Sequence, residues 1–101
     1  MRRSAREAYA LVRRITYARL ARERMRLLAL ERTLEVLGES ARRISPHFQR
    51  VHPEIDWRGI IGQRNVIAHE YGEIDHRRLY ETARTRVPAL VAALDRLLQE
   101  D

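Results

Sequence analysis

Leu27-Leu28-Ala29-Leu30-Glu31-Arg32-Thr33-Leu34-Glu35-Val36-Leu37-Gly38-Glu39-Ser40-Ala41-Arg42-Arg43-Ile44 decides the fold. Leu27, Leu30, Leu34, Leu37, Ala41 and Ile44 step by three and four residues without a miss. That spacing draws one apolar stripe down a long helix. Glu31, Arg32, Glu35, Glu39, Arg42 and Arg43 fall on its solvated face. A helix with one apolar stripe must bury it against other elements, and the flanking sequence supplies more helices. On the N-terminal side, Ser4-Ala5-Arg6-Glu7 has capping-box spacing. Ala5, Ala8, Val12 and Ile15 then mark one face of a first helix. Residues 16–24 hold neither Gly nor Pro. Either Thr16 caps a new start or the helix runs through; the favoured expectation is a tight break at 16–20.

On the C-terminal side, Ser45-Pro46 predicts the end of the long helix, because a residue before proline is pushed out of the helical region. Residues 45–56 read as a connector holding Pro46 and Pro53. Asp56 is placed to cap a third helix, with Ile55 and Ile60 at the two positions of a hydrophobic staple. Gly72 is its expected stop. Asp75 caps a fourth helix, with Ile74 and Leu79 repeating the staple. Pro88 is expected to kink or divide that helix, and Leu90, Leu94, Leu97 and Leu98 restore its apolar stripe. No segment alternates with period two, and no hairpin turn signal occurs. The expected fold is all-α: one domain over 1–101, an up-down bundle of about four helices with the last kinked near Pro88.

Composition narrows the function. The chain has 101 residues, enough for one modest core that gains from oligomerising. It has no cysteine, so disulfides and thiolate metal sites are excluded. No apolar run approaches the roughly 20 residues of a membrane helix, and nothing behind Met1-Arg2-Arg3-Ser4 reads as a signal peptide. A cytoplasmic protein without a membrane partner is expected. Net charge is +6, and all 20 basic residues are arginine. Guanidinium grips phosphate bidentately, so this balance suits a nucleic-acid partner, although arginines on helices commonly do no more than keep a surface solvated.

One segment carries chemistry beyond packing. Arg64-Asn65-Val66-Ile67-Ala68-His69-Glu70-Tyr71 sets a fixed cation, an amide, an imidazole and a phenol within eight residues. Arginine plus histidine is a minimal set for phosphodiester chemistry, one holding charge and the other moving protons. At about 100° per residue, Arg64 and Tyr71 share one face, and Asn65 and His69 share another. The four therefore bracket a wide sector, which a second surface such as another subunit would close. Each has a plainer role available: Arg64 a solvated arginine or ion pair, His69 a cation at a helix C-terminus, Asn65 an interhelix hydrogen-bonder, Tyr71 a core tyrosine. Gly59 and Gly62 cost helix propensity, which hints at close helix packing across them. His47, His52 and His76 form no His-x-x-x-His pairing, so neither a metal nor a cofactor is expected.

The same segment resembles the R-x4-H-x-Y signature of HepT-like proteins in the HEPN superfamily, the toxins of type VII toxin–antitoxin pairs. Leu34-Glu35-Val36-Leu37-Gly38-Glu39-Ser40-Ala41 is similar to that family's L-x-x-x-G-E-A-A stretch. His52-Pro53-Glu54-Ile55-Asp56-Trp57-Arg58-Gly59-Ile60-Ile61-Gly62 is similar to its H-P-x-I-P-W-x-x-I-I-G stretch. Asp75 and Pro88-Ala89-Leu90 fall where the family carries Asp and P-x-L. The resemblance covers about residues 24–100. Asp56 stands where the family has proline and Ser40 where it has alanine, and the region around 14–20 is shorter than usual.

The resemblance implies a metal-independent endoribonuclease acting on RNA as a homodimer, with two motifs facing across the two-fold axis. Arg64 would stabilise the charge developing on phosphorus, His69 would be general acid or base, and Asn65 would orient the phosphate or the imidazole. Tyr71 would be the residue to which a cognate minimal nucleotidyltransferase antitoxin transfers AMP. The alternative within the same superfamily is a non-catalytic module that binds nucleotide or protein.

Overall fold

The computed structural model describes the backbone of residues 1–69 and 75–99 and the side chains of 1–63 and 75–98. Its elements are α1 (Arg2–Val12), α2 (Tyr17–Arg22), α3 (Arg24–Arg42), α4 (Pro46–Val51), α5 (Trp57–His69), α6 (His76–Glu81), a π-helical turn (Thr82–Arg86) and α7 (Val87–Gln99). All are helical, and no strand occurs among the described residues. Four long runs carry the packing: α1, α3, α5, and the continuous stretch from α6 through α7. The short helices α2 and α4 lie in the connections.

The long stripe packs as its spacing predicts. Leu30, Leu34, Leu37 and Ala41 are buried, with Leu27 and Ile44 half-buried at its two ends. They meet Ala5, Ala8 and Val12 of α1, Leu20 of α2, Leu79 and Tyr80 of α6, and Val87, Leu90, Ala93 and Leu94 of α7 in one cluster. α3 packs against α1, α5 and α6, while α1 also packs against α7.

Side-chain caps fix three of the four helix starts that local chemistry identifies. Thr16 Oγ1 accepts from the Arg19 amide at 3.2 Å and opens α2. Asp56 Oδ1 accepts from the Gly59 amide at 3.0 Å and opens α5. Asp75 Oδ1 accepts from the Arg78 amide at 3.1 Å and opens α6. Ser4 is the exception. α1 already begins at Arg2, the Ala5 amide bonds to the Met1 carbonyl at 3.1 Å, and no side chain caps this end. Ser4 therefore sits inside the first turn, and Glu7 pairs with Arg3 instead, at 3.1 Å.

One further expectation needs correction, and the expected break near Pro88 takes a particular form. Pro46 follows the end of α3 but also starts α4, where its missing amide hydrogen costs nothing at the first helical position; Ser45 Oγ caps the new helix through the Phe48 amide at 3.1 Å. The irregularity linked to Pro88 lies in the turn before it. Proline there cannot donate to Arg84, and its ring crowds that carbonyl. The backbone answers by widening, with the Val87 amide reaching back five residues to the Thr82 carbonyl.

The glycines also differ from expectation. A Cβ on Gly59 would stand 2.1 Å from Asp56 Oδ2, so this glycine makes room for the capping carboxylate rather than for another helix. A Cβ on Gly62 would meet nothing within 4 Å among the described residues. Neither has a positive φ. Gly62→Ala is therefore expected to raise stability to urea by about 0.5–1 kcal/mol. Gly59→Ala should gain nothing, because its propensity gain is offset by a displaced cap worth about 1 kcal/mol.

The short N-terminal connection is tied down by polar bonds. Tyr80 donates its hydroxyl to the Ile15 carbonyl at 2.6 Å, and Arg84 Nη1 donates to the same carbonyl at 2.9 Å and to the Tyr80 oxygen at 2.6 Å. Tyr17 packs on Tyr80 with ring centroids 5.7 Å apart, and Arg77 lies over Tyr17 at 4.7 Å. Tyr80→Phe keeps the packing and removes the donor. Denaturant unfolding should show a loss of about 1–3 kcal/mol, because the bond to the Ile15 carbonyl and the bond from Arg84 both go at a buried position.

Candidate functional site

The motif helix α5 is positioned from its entry. Trp57 is buried, and its indole donates to the His52 carbonyl at 3.0 Å. Phe48 of α4 packs on the His52 ring at a tilt of 46°, with centroids 4.4 Å apart, and meets Trp57 edge-on at 6.2 Å. Ile55 is buried and Ile60 half-buried, the two positions of the expected staple. The segment from His52 to Ile60 is thus a socket that fixes where α5 starts and which way it runs. His52 Nδ1 faces Glu54 at 3.2 Å. The Glu54 carboxyl is held below the usual carboxylate range, first by its own backbone amide and then by His52.

Arg64, Asn65 and His69 all lie on α5, whose backbone stays helical through His69. In that register Asn65 and His69 are four residues apart and share a face, while Arg64 sits about 100° round from Asn65. One helix therefore brings the three together in its second half. Their side chains, and Tyr71, Gly72 and Ile74 altogether, lie outside the described residues.

Around the motif helix the structure adds features that the spacing did not disclose. His76, in the first turn of α6, pairs through Nε2 with Glu31 Oε1 of α3. This strut joins α6 to α3 seven residues beyond His69. Sequence reasoning gave His76 no role, because its partner is 45 positions away. Beside α5 lies a cavity of about 340 Å³, floored by Leu34, Leu37, Ile60 and Leu90, with Gln63 and Arg86 among its polar lining. Gln63 directly precedes Arg64, and Arg86 belongs to the π-helical turn. Among the described residues no group of three or more His, Asp or Glu side chains is arranged to hold a metal ion. No helix is long and apolar enough to cross a membrane, again among the described residues.

The family model described as "Ribonuclease HepT-like" matches residues 1–97, taking in α1 as well as the motif blocks. The chain is 36% identical over 69 residues to "Probable ribonuclease HepT" of Thermococcus cleftensis, an alignment covering 68% of this chain and 63% of that protein. It is 30% identical over 73 residues to a protein of Caldanaerobacter subterraneus subsp. tengcongensis that carries RNase in its name, covering 72% of this chain and 65% of the relative. A Methanocaldococcus jannaschii protein, likewise carrying RNase in its name, is 30% identical over 87 residues, covering 86% and 80%. The chain thus spans a little under two thirds of the first two relatives. No solved structure matches it. An all-helical bundle, a socketed motif helix and a family match across 97 residues lead to one assignment: the chain belongs to the HepT-like ribonuclease family of the HEPN superfamily.

Proposed function

We propose that the chain is a metal-independent endoribonuclease, the toxin of a toxin–antitoxin pair, and that its active site is a composite of two R-x4-H motifs across a homodimer. The observation that carries this reading is the placement of Arg64, Asn65 and His69 together on the second half of α5 in a HepT-like chain. Cleavage of RNA without metal needs a base to take the 2′-hydroxyl proton and an acid to protonate the leaving 5′-oxygen. The 2′-oxygen attacks phosphorus, the P–O5′ bond breaks, and a 2′,3′-cyclic phosphate results. One protomer supplies one motif histidine, and two protomers supply both. Arg64 stabilises the negative charge that builds on the non-bridging oxygens, and Asn65, on the same face as His69, orients the imidazole or the phosphate.

Tyr71 is the regulatory handle. A cognate minimal nucleotidyltransferase transfers AMP to it: the tyrosine oxygen attacks the α-phosphorus of ATP and pyrophosphate leaves. The added anion then competes for Arg64 and blocks RNA. Expression of the chain alone should arrest growth and degrade cellular RNA, and Arg64→Ala and His69→Ala should relieve both. Identical behaviour of all three would remove the ribonuclease reading and favour a binding module. Incubation with the antitoxin and Mg·ATP should add the mass of AMP to the intact chain, and Tyr71→Phe should abolish that gain.

A further inference from the structure

Arg3, Arg19, Arg32, Arg42 and Arg43 are paired with carboxylates on their own or adjoining helices. Arg13 and Arg14 are not: both are exposed just past the end of α1, and neither has a partner among the described residues. They line an open cleft of about 580 Å³ together with Arg6, Arg26, Tyr9 and Val91. No Asp or Glu lines it among the described residues. Arg6 is held from behind by Asp95, at 2.8 and 3.0 Å. Arg26 presents a buried Nε that closes no hydrogen bond, although the Glu23 carboxylate stands 3.5 Å away.

The negative end of the α1 dipole would ordinarily repel an anion here. It is partly masked, because Arg26 takes the Leu11 carbonyl of the last turn at 3.0 Å, and the next exposed carbonyl, that of Ile15 beyond the helix, is taken by Tyr80 and Arg84. Arg13, the residue that follows α1, keeps its helical backbone and so stands two turns on from Arg6, about 10.5 Å along the axis, and the charge forms a row rather than a point. Tyr9 lies between them in helical register, half-buried against the core, and lines the same cleft. Cations in a row with an interleaved aromatic are what a single strand of nucleic acid meets: guanidinium forks on phosphates and a face for a base. We propose that this cleft anchors the phosphodiester backbone of a single-stranded RNA, as a subsite to which α5 contributes no lining residue. The proposal rests on the ribonuclease reading for the identity of the strand.

The test is binding of a fluorescein-labelled 2′-O-methyl oligouridylate, which cannot be cleaved, to the full chain by anisotropy. In Arg13→Gln/Arg14→Gln the Kd should rise about tenfold at low salt. The slope of log affinity against log salt should become shallower by about 1.4, since each single-strand phosphate contact contributes about 0.7. With cleavable RNA the change should fall on KM rather than kcat. Arg13→Lys/Arg14→Lys keeps the charges and should restore the slope. Arg32→Gln/Arg50→Gln removes the same charge elsewhere and should leave Kd and slope near the parent's. Helical circular dichroism should be unchanged in the cleft variants, as neither Arg13 nor Arg14 has a partner to lose among the described residues. An unaltered Kd and slope in the cleft variant, or an equal loss in the control, overturns the proposal. RNA that is cleaved with an unaltered KM sinks the cleft alone, whereas RNA bound through the cleft but never cleaved sinks the ribonuclease reading alone.

Discussion

His69→Ala is expected to lower the rate of RNA cleavage about 10²–10⁴-fold, the range for loss of a positioned general acid or base. That corresponds to about 2.7–5.4 kcal/mol of activation free energy. The composite site proposed above has a further consequence. If each cleavage uses a histidine from each protomer, a dimer with one altered subunit lacks either the base or the acid. Mixing wild-type chain with excess His69→Ala chain, under conditions that let subunits exchange, should then reduce activity as the square of the wild-type fraction. A linear fall would mean that each motif works alone. Arg64→Ala should match His69→Ala in depth, and Arg64→Lys should recover little, because an ammonium lacks the guanidinium's planar fork.

Leu30→Ala should be the most damaging change to the scaffold. Leu30 is fully buried in the middle of the α3 stripe, where truncation loses transfer free energy and leaves a cavity, together about 3 kcal/mol. A chain of this size holds roughly 5–15 kcal/mol in all, so the loss should lower Tm by about 12–24 °C. Leu28, two residues along the same helix, is 42% exposed. Leu28→Ala should stay within about 0.5 kcal/mol. Comparable losses at the two positions would mean that α3 is rotated from the packing described above.

What the sequence disclosed is what local chemistry controls. The Leu30–Leu34–Leu37–Ala41 stripe, the break capped by Thr16, and the starts capped by Asp56 and Asp75 each depend on side chains within four residues. Ser4 misled because its spacing fits a cap, yet the helix begins two residues earlier and places Ser4 within its first turn. Pro46 misled because the rule that ends a helix before proline says nothing of the helix that proline can begin. The disturbance from Pro88 was legible in kind and in approximate place; its form was not, since the backbone relieves it by widening in the turn before. The His76–Glu31 strut and the Tyr80–Arg84–Ile15 knot were invisible, because partners 45, 65 and 69 positions apart carry no periodic signal. For the candidate site, helical register gave the grouping of Asn65 with His69. What completes the gap to Arg64 belongs to tertiary or quaternary structure.

Cleavage of a defined RNA by the purified chain in excess EDTA, with the product ends identified, tests the central claim most directly. The account predicts fragments ending in 2′,3′-cyclic phosphate from the wild-type chain, and none above background from Arg64→Ala or His69→Ala. Cleavage that stops in EDTA, or that persists equally in both variants, would contradict it.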